Sequence, residues 1–167
     1  MLAIARTLER ADPVHRSAFA ERATSYVTKL RGLDARTATC LKRVPPAERK
    51  LVTNHDAFNY FAHRYGIRVV GAVIPSLTTQ AQPSAGEVAR LVALIRREHV
   101  RAVFPESSLN RSLAQTIARE TGARSDFTLY GDTLGPSGSP GATYLGMEHA
   151  NADAIARGLS GGKVTCR

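Results

Sequence analysis

From Pro45-Pro46 onward the sequence alternates short, wholly apolar runs with stretches of helical periodicity, and this restricts the fold more than any other feature. Strands that lack polar alternation are buried on both faces, and strands separated by helices pair in parallel. The expected fold class is α/β: a four-stranded parallel sheet flanked by helices and preceded by a long helix. The strands are expected at Lys50 to Thr53, Arg68 to Ile74, Arg101 to Phe104 and Phe127 to Tyr130.

Between these runs the periodicity is helical. Phe58, Phe61, Ala62 and Tyr65 fall at i, i+3, i+4 and i+7, with Gly66 placed to close the helix in a left-handed conformation. Ser84 and Glu87 have the spacing of a capping box ahead of Val88, Leu91, Val92 and Ile95, which predicts a helix over 85–98. Leu109, Leu113 and Ile117 predict a third, capped by Ser108, and Tyr144 to about Leu159 a fourth. Residues 131–143, GDTLGPSGSPGAT, form a loop because Gly, Ser and Pro break every period, and the tail after Leu159 is expected to be loose.

Upstream, Asp12-Pro13 reads as a helix start: the carboxylate caps free backbone donors and proline tolerates the first turn. Phe19, Ala23, Tyr26, Leu30 and Leu33 then lay one apolar stripe along a helix reaching about Leu41, ended by Pro45-Pro46. At ~1.5 Å per residue it is about 40 Å long, more than a lobe of this size needs. Residues 1–11 are helical in pattern, with Leu2, Ile4 and Leu8 apolar and no cap before them. Three segments follow: 1–11, the long helix 12–44, and an α/β lobe 45–167.

A chain of 167 residues with 43% apolar and 22% charged content has the composition of one globular domain, neither disordered nor membrane-spanning. Its net charge of +9 raises nucleic acid as a partner. The arginines, however, are scattered among Glu and Asp, as in Glu21-Arg22 and Arg96-Arg97-Glu98, and no long basic block results. The expectation is therefore no nucleic-acid partner. Cys40 and Cys166 fit neither a zinc ribbon nor a two-residue-spaced redox pair; one long-range disulfide and two free thiols both remain open. The amino terminus has no charged region followed by an apolar one and a cleavage site, so no signal peptide is expected in the chain as written.

In an open parallel sheet, ligands bind beyond the carboxyl ends of the strands. His55 follows the first strand there, at the expected start of a helix, whose positive end favours the neutral ring that binds a metal. Asp132 follows the fourth strand and offers an anionic oxygen, so the two make half of a four-coordinate divalent-cation site. A capping histidine and an Asp turn would use the same residues. Glu106, leaving the third strand in FPESSL, is read as an acceptor supporting a ligand, or as a helix-entry anion. His15, His63, His99 and His149 are expected on the solvated surface. Ser107 and Ser108 lack a nucleophile elbow, and the Gly-rich loop lacks the order of a phosphate loop. No enzyme activity is expected; a nucleic-acid-binding module and a nucleotide-binding α/β domain are the alternatives.

The runs LVTNHDAFNYFAHRYGIRVVG, SLTTQAQPSAGEVARLV, VFPESSLNRSLAQTIARETGA and LYGDTLGPSGSPGATYLGMEHANADAIARGL occur in that order. Together, over residues 12–159, they resemble the carboxy-terminal lobe and lobe-spanning helix of the zinc- or manganese-binding solute-binding proteins of ABC importers. The resemblance implies that His55 and Asp132 stand at that family's third and fourth metal ligands, and that Glu106 is structural or supporting. It implies capture of a divalent metal ion between two lobes for delivery to an ABC permease, outside the cytoplasm, in the periplasm or on a lipid anchor. Histidine at position 55 tends to accompany zinc, which agrees with imidazole's preference over the harder manganese. The first two ligands of the family lie on a preceding lobe, to which only residues 1–11 correspond, so weak or absent occupancy and self-association through exposed apolar surface are expected. Gln82 departs from the family's acidic residue before Pro-Ser.

Overall fold

A computed structural model describes residues 1–74 and 83–166; Gln82 lies outside the described residues. The chain divides into two compact units, Met1–Arg36 and Thr37–Arg167.

The first unit holds helix α1 (Leu2–Ala11), a 3-10 turn (Pro13–His15) and most of helix α2 (Arg16–Lys42). The Asp12 side chain accepts from the His15 amide and Pro13 occupies the first turn, so the expected start is real but opens as a 3-10 turn. Along α2, Phe19, Ala23, Tyr26, Leu30 and Leu33 are all buried or half-buried, and the stripe continues through Thr37 and Cys40. On α1, in contrast, Leu2, Ile4 and Leu8 are exposed and Ala5 is the buried residue.

The second unit is built on a parallel pair, β1 (Lys50–Thr53) and β2 (Arg68–Ala72), joined through helix α3 (Asn59–Tyr65). Gly66 ends α3 at φ 66°, a conformation glycine adopts without Cβ strain. Helix α4 (Ala85–Glu98) begins with the expected capping box at Ser84 and Glu87. Helix α5 (Ser112–Thr121) starts later than Leu109: Asn110, not Ser108, accepts from the Ser112 amide. Helix α6 (Tyr144–Leu159) has the expected bounds, with Thr143 as its cap.

The four-stranded sheet expected from sequence does not form as a continuous ladder. The segments around 101–106 and 124–129 lie in parallel beyond β1 but join it and each other only at single bridges: Thr53 with Phe104, Ala102 with Arg124, and Glu106 with Leu129. Pro105, which has no N–H, interrupts the third run just where a ladder would extend. Successive residues still face opposite sides. Leu51 and Phe104 join Leu41, Phe58, Ile155 and Leu159 in one cluster, under α3 and α6. Val52 and Val103 join Leu91, Ile95 and Ile117 in a second, under α4 and α5. Double-sided burial explains why the runs are wholly apolar.

The tail is not loose, contrary to expectation. Cys166 is disulfide-bonded to Cys40 with Cα atoms 5.5 Å apart, Val164 is buried, and the Cys166 amide donates to Asp153. Among the described residues no helix is long and apolar enough to cross a membrane.

Candidate metal centre

β1 ends at Thr53, and the next two residues enter a bend that turns His55 into the protein. The bend is held by the Thr53 hydroxyl donating to the His55 carbonyl at 2.7 Å, and by the Ile74 amide donating to the Asn54 carbonyl. His55 therefore stands before, not within, α3, whose first residue is Asn59. The helix-dipole argument for its neutral ring does not apply. The ring itself is buried, 2% exposed.

Glu106 arrives from the third extended segment, completely buried, one residue after Pro105. Its Oε1 lies 2.5 Å from His55 Nδ1. The contact is close but misaligned, for Nδ1 and both Glu106 carboxylate oxygens have no hydrogen-bond partner of acceptable geometry. Asp132 reaches the ring from the opposite side, its Oδ1 3.3 Å from His55 Nε2, with its side chain half-exposed. The three residues each offer a ligand atom within 4.8 Å of the others. His55 and Asp132, 77 positions apart in the sequence, do converge at one rim of the sheet, with Glu106 behind the ring. His15 pairs with Asp12 on the surface, and His63, His99 and His149 take no part in the cluster.

Electrostatics at this rim are unbalanced. Burial pushes the Glu106 carboxyl above the ordinary carboxylate range; the His55 ring pulls it back and the Asp132 carboxylate pushes it further up. A buried imidazole facing a carboxylate at each nitrogen leaves more acceptor than donor in the cluster, and a bound cation corrects that excess. Glu106 lies at Nδ1, and Nε2 is the ring nitrogen on the side of Asp132.

Two features of the site escaped the sequence reading. Gly131 packs so closely on Glu106 that a Cβ there would lie 2.1 Å from Oε2. Asn151, 2% exposed on α6, makes two hydrogen bonds to the backbone of Tyr130. The only sequence signal for the second was an amide between Met147 and Ile155 on the apolar face of α6. The first left no signal beyond a glycine beside an aspartate.

The family model for the zinc-uptake complex component A, periplasmic, matches residues 1–158. The chain is 32% identical over 156 residues to the iron-binding protein YfeA of Yersinia pestis, an alignment covering 93% of this chain and 50% of that protein. It is 34% identical over 155 residues to the manganese-binding lipoprotein MntA of Bacillus subtilis, covering 90% and 50%. In structure it superposes on the periplasmic zinc-binding protein TroA of Treponema pallidum with a TM-score of 0.84 at 28% identity, over 95% of this chain and 58% of that one. The chain thus spans about half the length of the curated relatives it matches. With the family model matching 158 of its 167 residues, the chain belongs to the family of the zinc-uptake complex component A, the solute-binding proteins of metal ABC transporters.

Proposed function

We propose that this chain carries the carboxy-terminal half of a divalent-metal site, with His55 Nε2 and Asp132 as ligands and Glu106 holding the far side of the imidazole. In this reading residues 45–167 are the metal-binding lobe, 12–44 the backbone helix, and 1–11 the start of contact with a preceding lobe. The ion would be captured between two lobes and passed to an ABC permease. The observation that carries the proposal is one separation: ligands ~2.1 Å from a tetrahedral zinc stand about 3.4 Å apart, and Nε2 and Oδ1 are 3.3 Å apart.

Relatives are named for iron, manganese and zinc, so their names do not choose the ion. The donor set favours zinc, because imidazole at position 55 suits it better than the harder manganese. Extracytoplasmic residence is supported by relatives named lipoproteins and by the Cys40–Cys166 disulfide, a bond that persists in oxidising compartments.

Calorimetric titration with zinc sulfate tests the proposal. Binding should weaken at least tenfold in His55→Ala and Asp132→Ala, and manganese should bind less tightly than zinc. Low-micromolar or tighter binding that survives the double replacement would reject the assignment.

A further inference from the structure

Asp132 opens the Gly-, Ser- and Pro-rich loop, whose own backbone hydrogen bonds, Gly135 to Gly141, Ser139 to Pro136 and Ala142 to Ser139, all lie beyond it. An anchor for the backbone that carries the carboxylate lies just before the loop. Leu129 makes its backbone hydrogen bonds inward, its amide to Pro105 and its carbonyl from Ser107, both at 2.9 Å. Tyr130, next along an extended chain, presents its own N–H and C=O to the other side. Among the described residues no strand pairs with it there.

Asn151 fills that place. Its Oδ1 accepts from the Tyr130 amide at 2.9 Å, and its Nδ2 donates to the Tyr130 carbonyl at 2.8 Å. One side-chain amide thus reproduces both bonds that a neighbouring strand would make. A buried asparagine needs partners wherever it lies, but the choice of partner is informative. Binding both groups of one residue fixes the rotation of the chain about its own axis, one residue before Gly131 packs against Glu106 and two before Asp132. Asn151 is itself rigid, one helical turn from Met147 and Ile155, both buried.

We propose that Asn151 is a positioning residue for the metal site: its amide clamp on Tyr130 aims the Asp132 carboxylate at His55 Nε2. This rests on the reading of Asp132 as a ligand. The clamp's direct route to the ion is through Asp132, the longer one through Gly131 and Glu106 leaving His55 in place, so most of its effect should vanish when the Asp132 carboxylate is removed. A merely structural asparagine would weaken binding equally in both backgrounds.

The experiment is a double-mutant cycle on the full chain, read by competition for zinc against a fluorescent chelator, with Tyr130 amide hydrogen exchange followed by NMR. Asn151→Ala should weaken zinc binding roughly tenfold in the native background and less than twofold in Asp132→Ala, with faster exchange at Tyr130. Asn151→Asp, which keeps the side-chain size and the acceptor but loses the donor, should give an intermediate loss and stands in if the alanine variant does not fold. Equal losses in the two backgrounds, or no loss in the native one, would overturn the clamp while leaving the metal site intact. Insensitivity of zinc binding to Asp132→Ala itself would overturn the site, and the clamp's role with it.

Discussion

Replacing Gly131 with alanine tests whether Glu106 supports the site. The backbone at 131 is not in the left-handed region, so alanine carries no conformational penalty there. Any effect must come from the methyl group, which would sit 2.1 Å from Glu106 Oε2 and 2.8 Å from its Cδ. Relief requires the carboxylate to retreat by about an ångström, and a completely buried side chain against His55 has nowhere open to go. Overpacking of this kind costs about 1–3 kcal/mol, and disturbing a residue that orients a metal ligand costs ~10–100-fold in affinity. Urea unfolding of the metal-free chain reads the first quantity and zinc competition the second. Adding Glu106→Asp, which shortens the side chain by one methylene, should restore most of the lost stability without restoring affinity, because the shorter carboxylate no longer reaches Nδ1. If Gly131→Ala leaves both stability and zinc binding at native values, Glu106 is not held where the structure places it and its supporting role falls.

The Cys40–Cys166 bond closes a span of 126 residues, for which the chain-entropy estimate is about 5 kcal/mol, so reduction should lower the urea midpoint sharply; a shift worth less than ~1 kcal/mol would contradict this. Glu148 is pushed above the ordinary carboxylate value of 4.5 by burial, against an opposing hydrogen bond from Tyr144. Between the unfolded and folded values the native state holds more protons, so this group makes stability fall as pH rises from about 4.5, and Glu148→Gln should flatten that slope; an unchanged pH profile would refute it. Leu2, Ile4 and Leu8 are exposed on α1, and self-association is expected to grow with concentration and to diminish when Ile4 and Leu8 become Ser; sedimentation that gives a monomer at every concentration would exclude it.

The fold was legible where local rules act alone. Ser84 and Glu87, three positions apart, cap a helix with no help from elsewhere, and the bounds of α6 follow from its helical periodicity after the Gly-rich loop. Strand continuity was not, since whether Arg101 to Phe104 and Phe127 to Tyr130 form ladders depends on register and on Pro105, which an apolar run does not encode. The disulfide was equally hidden: two cysteines 126 residues apart pair only if the fold brings the end of α2 to the carboxy terminus. Of the site, His55 and Asp132 were found because strand ends in a parallel sheet face one rim, whatever the sheet's exact hydrogen bonding. No helix dipole acts on His55, because α3 begins four residues after it, at Asn59.

A dipole would have tuned His55 from one direction and left its ring free to rotate, whereas the fold fixes the ring with a buried carboxylate behind it and a half-exposed one before it. Burying Glu106 without a satisfied hydrogen bond works against stability. The same burial removes water that would compete for His55 Nδ1, and Nε2 faces one half-exposed carboxylate, Asp132. With His55 and Asp132 as the proposed ligands, the half-site pairs a buried nitrogen with a half-exposed oxygen: His55 would set where an ion sits, and Asp132, steadied through Tyr130 by Asn151, how readily it leaves. Zinc dissociation should therefore quicken more in Asn151→Ala than association slows, and stopped-flow chelator capture showing the change wholly in association would count against this division of roles.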